Sequence, residues 1–378
     1  MTSAPAFGLI AHLSAPIESG SPFGPLTPYY RQLIEHALSQ GWQGFVFSPR
    51  DVLRQRSTIW GWQRGGGTWQ RAFVSMPTVC YTRLKTLSIE ERDILIWLRD
   101  HASVQFLNQP ELDEMVQDQW RVMQVLQSHP TLSPYIPDAV LLRDTQALST
   151  LMAEHGQLTV RSRTLAGGKP SGSLTREGEE LLWRQEVRGS GHARSFRSPV
   201  KLRVALQDHF NDTIVASYIP PFRIDSCPVV FRSLWQRGRT GQWSESFVVL
   251  RIGQPESQTY QAVTAGLLDR YQRPLQELLG TQYKAIRYQL TNLGRTVVDL
   301  LAQRSHGAGE IAIEFLLTAT RELKILDIST LGGLEALRRL PDPSTAQTVM
   351  RSTLQYSALL SEQLTTTSVP SSVPSETR

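Results

Sequence analysis

The stretch that decides the fold is 309-GEIAIEFLLTATRELKILDIS-329. Two runs rich in Ile, Leu and Phe flank a short polar segment, which is the pattern of a β-hairpin. Each run also carries one carboxylate, Glu314 in the first and Asp327 in the second. If the loop is centred between Thr320 and Arg321, Glu314 faces Asp327 across the hairpin. Both faces are otherwise largely apolar, so the sheet is predicted to be covered on both sides.

The same loop centre predicts four further cross-strand pairs: Ala312 with Ser329 and Leu316 with Ile325 on the face of the two acids, and Ile313 with Ile328 and Phe315 with Leu326 on the other face. Directly opposed side chains have Cβ atoms roughly 4.5–5.5 Å apart, and like charges at that distance repel. Mg²⁺ would relieve the repulsion, since it binds carboxylate oxygens together with substrate phosphates. The alternatives are a shifted register or neutralisation by Arg or Lys, with Arg232 as a structural ion-pair partner of either acid.

Composition indicates a soluble globular protein with room for two or three domains, because 40% of the 378 residues are hydrophobic and 19% are charged. Cys80 and Cys227 are the only cysteines, which excludes a disulfide framework and a zinc-knuckle spacing and fits a reducing compartment. Neither a signal sequence nor an apolar run of about 18 residues is found, so we expect a cytoplasmic protein without a membrane span.

The net charge of +5 does not indicate nucleic-acid binding. The densest basic segment, from Arg161 to Arg203, is interrupted by acidic residues, and no helical or zinc-stabilised nucleic-acid module is visible in it. A solvated face explains this segment more simply, although phosphate binding remains open. No nucleic-acid partner is therefore expected.

The order of patterns predicts an α/β (α+β) protein with a βαβ unit at its start. A strand in FGLIAHL, a helix over 29–41 and a strand over 42–49 form that unit and imply a parallel sheet. Later segments predict a hairpin over 59–74 and helices over 282–304 and 344–364. We predict an N-terminal α/β domain over 1–105, a second part over 106–220, a third over 221–364, and a disordered Ser/Thr/Pro-rich tail over 365–378.

The order of the predicted elements is that of an ATP-grasp fold: a strand, a Gly-rich loop, a strand, a pair of strands that carries arginine, a helix and the acidic hairpin. Over nearly its whole length the chain resembles the YheC/YheD-type, endospore coat-associated family of ATP-grasp proteins. Four segments carry the resemblance: 22-PFGPLTPYYRQLIEHALSQGWQGFVFSP-49, 118-DQWRVMQVLQSHPTLSPYIPDAVLL-142, 230-VFRSLWQRGRTGQWSESFVVLRIG-253 and the acidic hairpin. The resemblance implies an ATP-grasp fold with an N-terminal βαβ pre-ATP-grasp domain.

The resemblance also implies ATP held between two sheets with Mg²⁺ and, in active relatives, phosphorylation of a carboxylate followed by attack of an amine or another nucleophile. The implied metal ligands are Glu314, Asp327 and Ser329, at positions where the family usually has Asp, Glu and Asn. The implied nucleotide-binding residues are Arg161, Gly167, Gly168, Lys169 and Arg232, and Arg232 also matches the family's strand arginine with a catalytic role. We expect Arg161, Arg232 and Lys169 to face the two acids across one cleft.

Two family lysines are replaced in this chain, by Gln119 before the helix tryptophan and by Arg161 on the strand. Arginine stays charged and can hold phosphate with two hydrogen bonds, whereas glutamine cannot replace a cation. The first interpretation is an ATP- and Mg²⁺-binding protein resembling carboxylate-activating ligases. The alternative is a catalytically degraded ATP-grasp scaffold with a structural or binding role in spore coat assembly, with coat proteins as partners.

Overall fold

The computed structural model describes residues 4–14, 20–164, 172–187, 190–205, 213–253, 262–305, 307–331 and 343–367. These residues form three β-sheets, which follow one another along the chain. In the described part of the chain, no helix is long and apolar enough to span a bilayer.

The first sheet contains the predicted βαβ unit. Its strands are β1 (Ala6–Ile10), β2 (Gln43–Phe47), β3 (Val52–Leu53), β4 (Thr58–Gly65), β5 (Thr68–Ser75), β6 (Val79–Thr82) and β7 (Gln105–Phe106), and its helices are α1 (Thr27–Ser39) and α2 (Ile89–Asp100). Strand β1 pairs in parallel with β2 and β6, while β4 and β5 form the predicted hairpin. Helix α1 buries Tyr30, Leu33, Ile34 and Ala37, which share one helical face. The parallel pairing confirms the expected βαβ unit.

The second sheet is preceded by α3 (Pro110–Gln117) and α4 (Gln119–Gln127). Its strands are β8 (Ala139–Leu141), β9 (Gln157–Ser162), β10 (Gly172–Glu177), β11 (Glu180–Val187), β12 (Ser190–Phe196) and β13 (Thr213–Ser217), with helices α5 (Thr145–His155) and α6 (Pro199–Ala205). The strand order is β12-β11-β10-β9-β13-β8, and neighbouring strands are antiparallel. Asp118 caps α4 by accepting hydrogen bonds from the Trp120 and Arg121 amides.

The third sheet carries the acidic hairpin. Its strands are β14 (Arg223–Ile224), β15 (Cys227–Arg237), β16 (Trp243–Gly253), β17 (Ala262–Leu267), β18 (Glu310–Leu317) and β19 (Leu323–Ser329), and the remaining helices are α7 (Leu268–Leu279), α8 (Gln282–Arg304) and α9 (Pro343–Thr367). Helix α8 has the predicted bounds. Helix α9 includes the first three residues of the predicted tail, and residues 368–378 lie outside the described residues.

The register of the hairpin confirms the pairing of the two acids. Glu314 lies opposite Asp327, and the pairs Ala312–Ser329 and Ile313–Ile328 are also as predicted. The prediction is wrong between this point and the loop, where Phe315 pairs with Ile325 and Leu316 pairs with Lys324. These pairs centre the loop on Thr320 rather than between Thr320 and Arg321, and an irregularity that leaves Leu326 as an extra residue in β19 restores the predicted register beyond it. A count from the loop centre assumes equal strand lengths and cannot detect such a bulge.

Both faces of the third sheet are covered, as predicted. One face contributes Val248, Leu250 and Phe315 to a core shared with α3, α4 and α8. The other face contributes Leu234, Phe247, Val249 and Ala312 to a core shared with the first sheet, α1 and α9. The hydrophobic effect therefore holds the first sheet, α9 and the third sheet together in one cluster. The two acids lie on the face that this second core covers.

Candidate functional site

Glu314 is the centre of an ion-pair cluster on the third sheet. The Nη1 atom of Arg232, which lies directly opposite on β15, donates to Glu314 Oε1 at 2.9 Å. Arg251 on β16 donates to the same oxygen. The Glu314 side chain is only 15% exposed, so the two arginines neutralise a largely buried charge. The ion pair weighed as an alternative explanation of the opposed acids is therefore present for Glu314.

Asp327 is held differently from its neighbour. Its Oδ1 atom is shielded from solvent and has no hydrogen-bond partner among the described residues. Burial raises the pKa of Asp327 to about 6, with the charge on Glu314 acting in the same direction. The charges of Arg161 and Arg232 oppose this rise. A buried polar atom without a partner is uncommon in folded proteins, and a bound ion or water is one explanation.

Arg161 connects the second sheet to the acidic hairpin. It lies on β9, and its Nη1 atom donates to the carbonyl oxygen of Leu326, the bulge residue, at 2.6 Å. Its Nη2 atom lies 3.1 Å from the sulfur of Met123. Arg161 and Arg232 thus act on Asp327 from different sheets. Gly167, Gly168 and Lys169 lie outside the described residues.

Gln119 occupies the position where a cation was expected from the resemblance. The residue is 3% exposed, and its Nε2 atom donates to the carbonyl oxygens of Val116 at 2.8 Å and Ile328 at 3.2 Å. Next to it, Arg163 forms a two-bond ion pair with Asp118 at 2.8 and 2.5 Å. Gln119 therefore supports the backbone of β19 between Asp327 and Ser329, without supplying charge.

Ser329 lies two residues after Asp327 in β19 and so projects from the same face of the strand. The backbone N–H of Leu331 donates to its Oγ atom at 3.0 Å. A hydroxyl oxygen has two acceptor lone pairs, so one remains available for a metal ion.

The oxygen donors of this face fit Mg²⁺, which prefers carboxylate and other hard oxygen ligands. The orphaned Oδ1 atom of Asp327 is the observation that supports the fit. Across the described ranges, no group of three or more His, Cys, Asp or Glu side chains gathers to hold a metal by itself. Ligands from a nucleotide or from water would have to complete such a site.

Comparison with known proteins identifies the family. Residues 108–360 match the family model described as YheC/D like ATP-grasp. The chain belongs to this family. Endospore coat-associated protein YheD of Bacillus subtilis (strain 168) is 20% identical over 360 residues, covering 91% of this chain and 76% of YheD.

Two solved structures show the same fold. D-alanyl-alanine synthetase A from Vibrio cholerae aligns with a TM-score of 0.55 and 11% identity, covering 97% of this chain and 100% of that chain. N5-carboxyaminoimidazole synthetase from Staphylococcus aureus, complexed with ADP, aligns with a TM-score of 0.54 and 11% identity, covering 94% of this chain and 78% of that chain. At this identity the likeness establishes the ATP-grasp fold alone.

Sequence reasoning missed Arg251, the second arginine that contacts Glu314 in this YheC/D-like ATP-grasp chain. Arg251 interrupts the apolar run 247-FVVLRIG-253 in the same way that Glu314 interrupts its own run. A charge inside a buried strand requires a partner, so applying one criterion to both strands would have singled out Arg251. The Asp118–Arg163 pair was also missed, because its residues are 45 positions apart and neither interrupts an apolar run.

Proposed function

We propose that the chain binds ATP with Mg²⁺ on the face of the third sheet that carries Glu314 and Asp327, and that it acts as a ligase-like enzyme of the carboxylate-activating class. The observation that carries the proposal is the orphaned, shielded Oδ1 of Asp327 opposite a second carboxylate. The ADP bound to the related-fold synthetase supports a nucleotide as the ligand.

The surrounding charges suit a triphosphate. Arg232 and Arg251 hold Glu314 from neighbouring strands, and Arg161 reaches the bulge beside Asp327. If Mg²⁺–ATP binds, the phosphate oxygens would pair with these arginines, and the carboxylates of Glu314 and Asp327 would hold the cation. Glu314 would then exchange its arginine partners for the cation, and Asp327, whose Oδ1 atom has no partner among the described residues, would gain one.

The proposed chemistry transfers the γ-phosphoryl group of ATP to a carboxylate oxygen and releases ADP. An amine or another nucleophile then attacks the acyl phosphate and displaces phosphate. Arg232 and Arg251 would stabilise the charge that spreads over the transferring group, and Mg²⁺ would supply further charge neutralisation. From the resemblance, Gly167, Gly168 and Lys169 are proposed to bind the phosphates.

Isothermal titration calorimetry with ATP, in Mg²⁺ and in EDTA, tests the proposal. The variant is Arg161→Ala, and the matched control is Arg143→Ala, which removes an exposed arginine from the same part of the chain. Hydrogen bonds to charged groups contribute about 1.5–3 kcal/mol, so the Kd should rise about tenfold or more in Arg161→Ala and stay unchanged in the control. Saturable binding that Arg161→Ala leaves unaltered would refute the role of Arg161.

The second candidate is a nucleotide-free scaffold with a structural or binding role in the coat. Two observations favour it. Glu314 already has two arginine partners, and the Gln119 amide is satisfied by two carbonyls where a cation was expected. Failure of the wild type to bind ATP, with or without Mg²⁺, would select this function.

The cellular location of the protein is proposed only from its similarity to YheD. YheD is named as an endospore coat-associated protein. By that likeness we extend to this chain a role in sporulation, with coat proteins as partners and synthesis in the cytoplasm before association with the coat. Retention of the tagged protein in purified spore coats, compared with its level in the soluble fraction of the same cells, tests this assignment.

A further inference from the structure

A buried polar cluster lies where the first sheet meets the third. We define the junction cluster as Tyr81, Arg83, Asn108, Gln236 and Glu310. Arg83, just after β6, donates to Glu310 at 2.7 Å, and these two side chains are 2% and 1% exposed. Tyr81 and Gln236 donate to the other carboxylate oxygen of Glu310 at 2.8 and 2.9 Å. Both carboxylate oxygens of Glu310 thus accept hydrogen bonds, and the donors come from both sheets.

Arg83 also reaches the segment that follows the candidate metal ligands. Its Nη1 atom lies 3.2 Å from the carbonyl oxygen of Thr330, and its Nη2 atom donates to the carbonyl oxygen of Leu331 at 2.9 Å. The N–H of Leu331 in turn donates to Ser329 Oγ at 3.0 Å. A continuous chain of hydrogen bonds therefore runs from the first sheet to the hydroxyl of Ser329.

The backbone beside the junction cluster is tightly packed. A Cβ atom added to Gly309 would lie 2.5 Å from the ring of Tyr356 in α9 and 2.7 Å from the carbonyl oxygen of Leu107. Asn108 fixes the same backbone by accepting from the Gly309 and Glu310 amides at 2.8 and 2.9 Å. Only glycine permits so close an approach. The start of β18, which carries Glu310, is therefore closely held by its neighbours.

Stability alone does not account for a buried Arg–Glu pair, because desolvation of the two charges offsets most of their attraction. Geometry does account for it. The planar guanidinium group can bind a carboxylate and two carbonyl oxygens at once, in fixed directions. Arginine can therefore hold the carboxylate and the two carbonyl oxygens in one arrangement, whereas a pair of apolar side chains could not.

We propose that Arg83 is a positioning residue for the metal site, and that the N-terminal α/β domain is in this way a working part of that site. By fixing Thr330 and Leu331, Arg83 would hold the hydroxyl of Ser329 in place on the strand face that carries Asp327, where it could bind Mg²⁺. This inference rests on the proposed binding of Mg²⁺–ATP. It assigns to Arg83 an effect on the Mg²⁺-dependent part of nucleotide binding, beyond any effect on folding.

Two variants separate positioning from stability. Arg83→Lys keeps the positive charge beside Glu310, but a lysine is a single point donor that cannot span the carboxylate and both carbonyls. Tyr81→Phe is the control, because it removes the hydrogen bond to Glu310 and the one accepted from Arg83 but leaves the bonds from Arg83 to the Thr330 and Leu331 carbonyls in place. Thermal unfolding of both variants shows whether each is folded.

The first readout is the Kd for ATP in Mg²⁺ and in EDTA. We expect Arg83→Lys to raise the Kd in Mg²⁺ about tenfold and to leave the Kd in EDTA within about twofold of the wild type. Tyr81→Phe should change neither value by more than about twofold. Equal weakening by the two variants, or a loss in Arg83→Lys that is as large in EDTA as in Mg²⁺, would overturn the proposal.

The second readout needs no nucleotide. The amide of Leu331 donates to Ser329, and the bonds from Arg83 keep it there. Its hydrogen exchange should therefore be at least about tenfold faster in Arg83→Lys than in Tyr81→Phe or the wild type. Unchanged exchange in Arg83→Lys would overturn the proposal on its own. If the wild type binds no ATP, the proposed function fails and the metal-site role fails with it, while exchange still decides whether Arg83 holds this segment.

Discussion

Replacement of Asp327 by asparagine is expected to stabilise the fold at alkaline pH while abolishing Mg²⁺-dependent nucleotide binding. Asparagine has nearly the same shape as aspartic acid but cannot ionise. In the wild type, the carboxyl group is buried opposite Glu314, and its Oδ1 atom has no partner within the described residues. Ionisation of Asp327 therefore weakens the folded state.

The magnitude follows from the pKa. Burial and the nearby Glu314 raise the pKa of Asp327 to about 6 from an ordinary value of 3.8. The folded carboxyl group holds its proton more tightly than the unfolded one, so its contribution to stability is fully present below pH 4 and is lost as the pH rises through 6. Since one pKa unit corresponds to about 1.4 kcal/mol, the loss is at most about 3 kcal/mol.

Thermal unfolding of the wild type and Asp327→Asn at pH 4 and pH 8 measures this effect. We expect equal melting temperatures at pH 4 and a gain of several degrees for the variant at pH 8. Asp93→Asn, which changes an exposed aspartate, is the control and should change neither value. A variant that is less stable than the wild type at pH 8, or equally stabilised at both pH values, would show that the arginines stabilise the ionised form and that the electrostatic reasoning is wrong.

Three further outcomes are expected. Burial raises the pKa of Asp113 to about 7, so Asp113→Asn should raise the melting temperature at pH 9 but not at pH 4, as followed by circular dichroism. Arg251→Gln leaves Arg232 on Glu314, so it should keep the fold and raise the Kd for Mg²⁺–ATP about tenfold in calorimetry. A chain truncated after Thr367 should unfold at the same temperature as the full chain, because the removed Ser/Thr/Pro-rich sequence has no apolar set to bury.

The sequence was informative where structure depends on neighbouring residues. The bounds of α8, the βαβ unit and the pairing of Glu314 with Asp327 each follow from local periodicity or from one short loop. The bulge at Leu326 escaped prediction because no residue type marks it. It compensates for the misplaced loop centre, so the three pairs next to the loop differ from the prediction while the acids still face each other.

Contacts between distant segments could not be predicted. Arg83 and Glu310 are 227 positions apart, and nothing in either strand pattern identifies the other as its partner. The replacement of an expected lysine by Gln119 was visible in the sequence, but the two carbonyls that satisfy the amide were not. Such pairings depend on how the sheets pack, and packing is set by the whole apolar core at once.

The core shared by the first sheet, α9 and the third sheet shows that a domain defined by sequence similarity can differ from a domain defined by its hydrophobic core. The segment matched by the family model covers residues 108–360, yet Leu234, Phe247 and Ala312 of that segment belong to a core that also contains side chains from residues before 108. Expressed alone, the matched segment would present this apolar surface to water and associate with itself or with chaperones. The matched segment is thus smaller than the set of residues that share this core, and gene fragments for expression should include the first sheet.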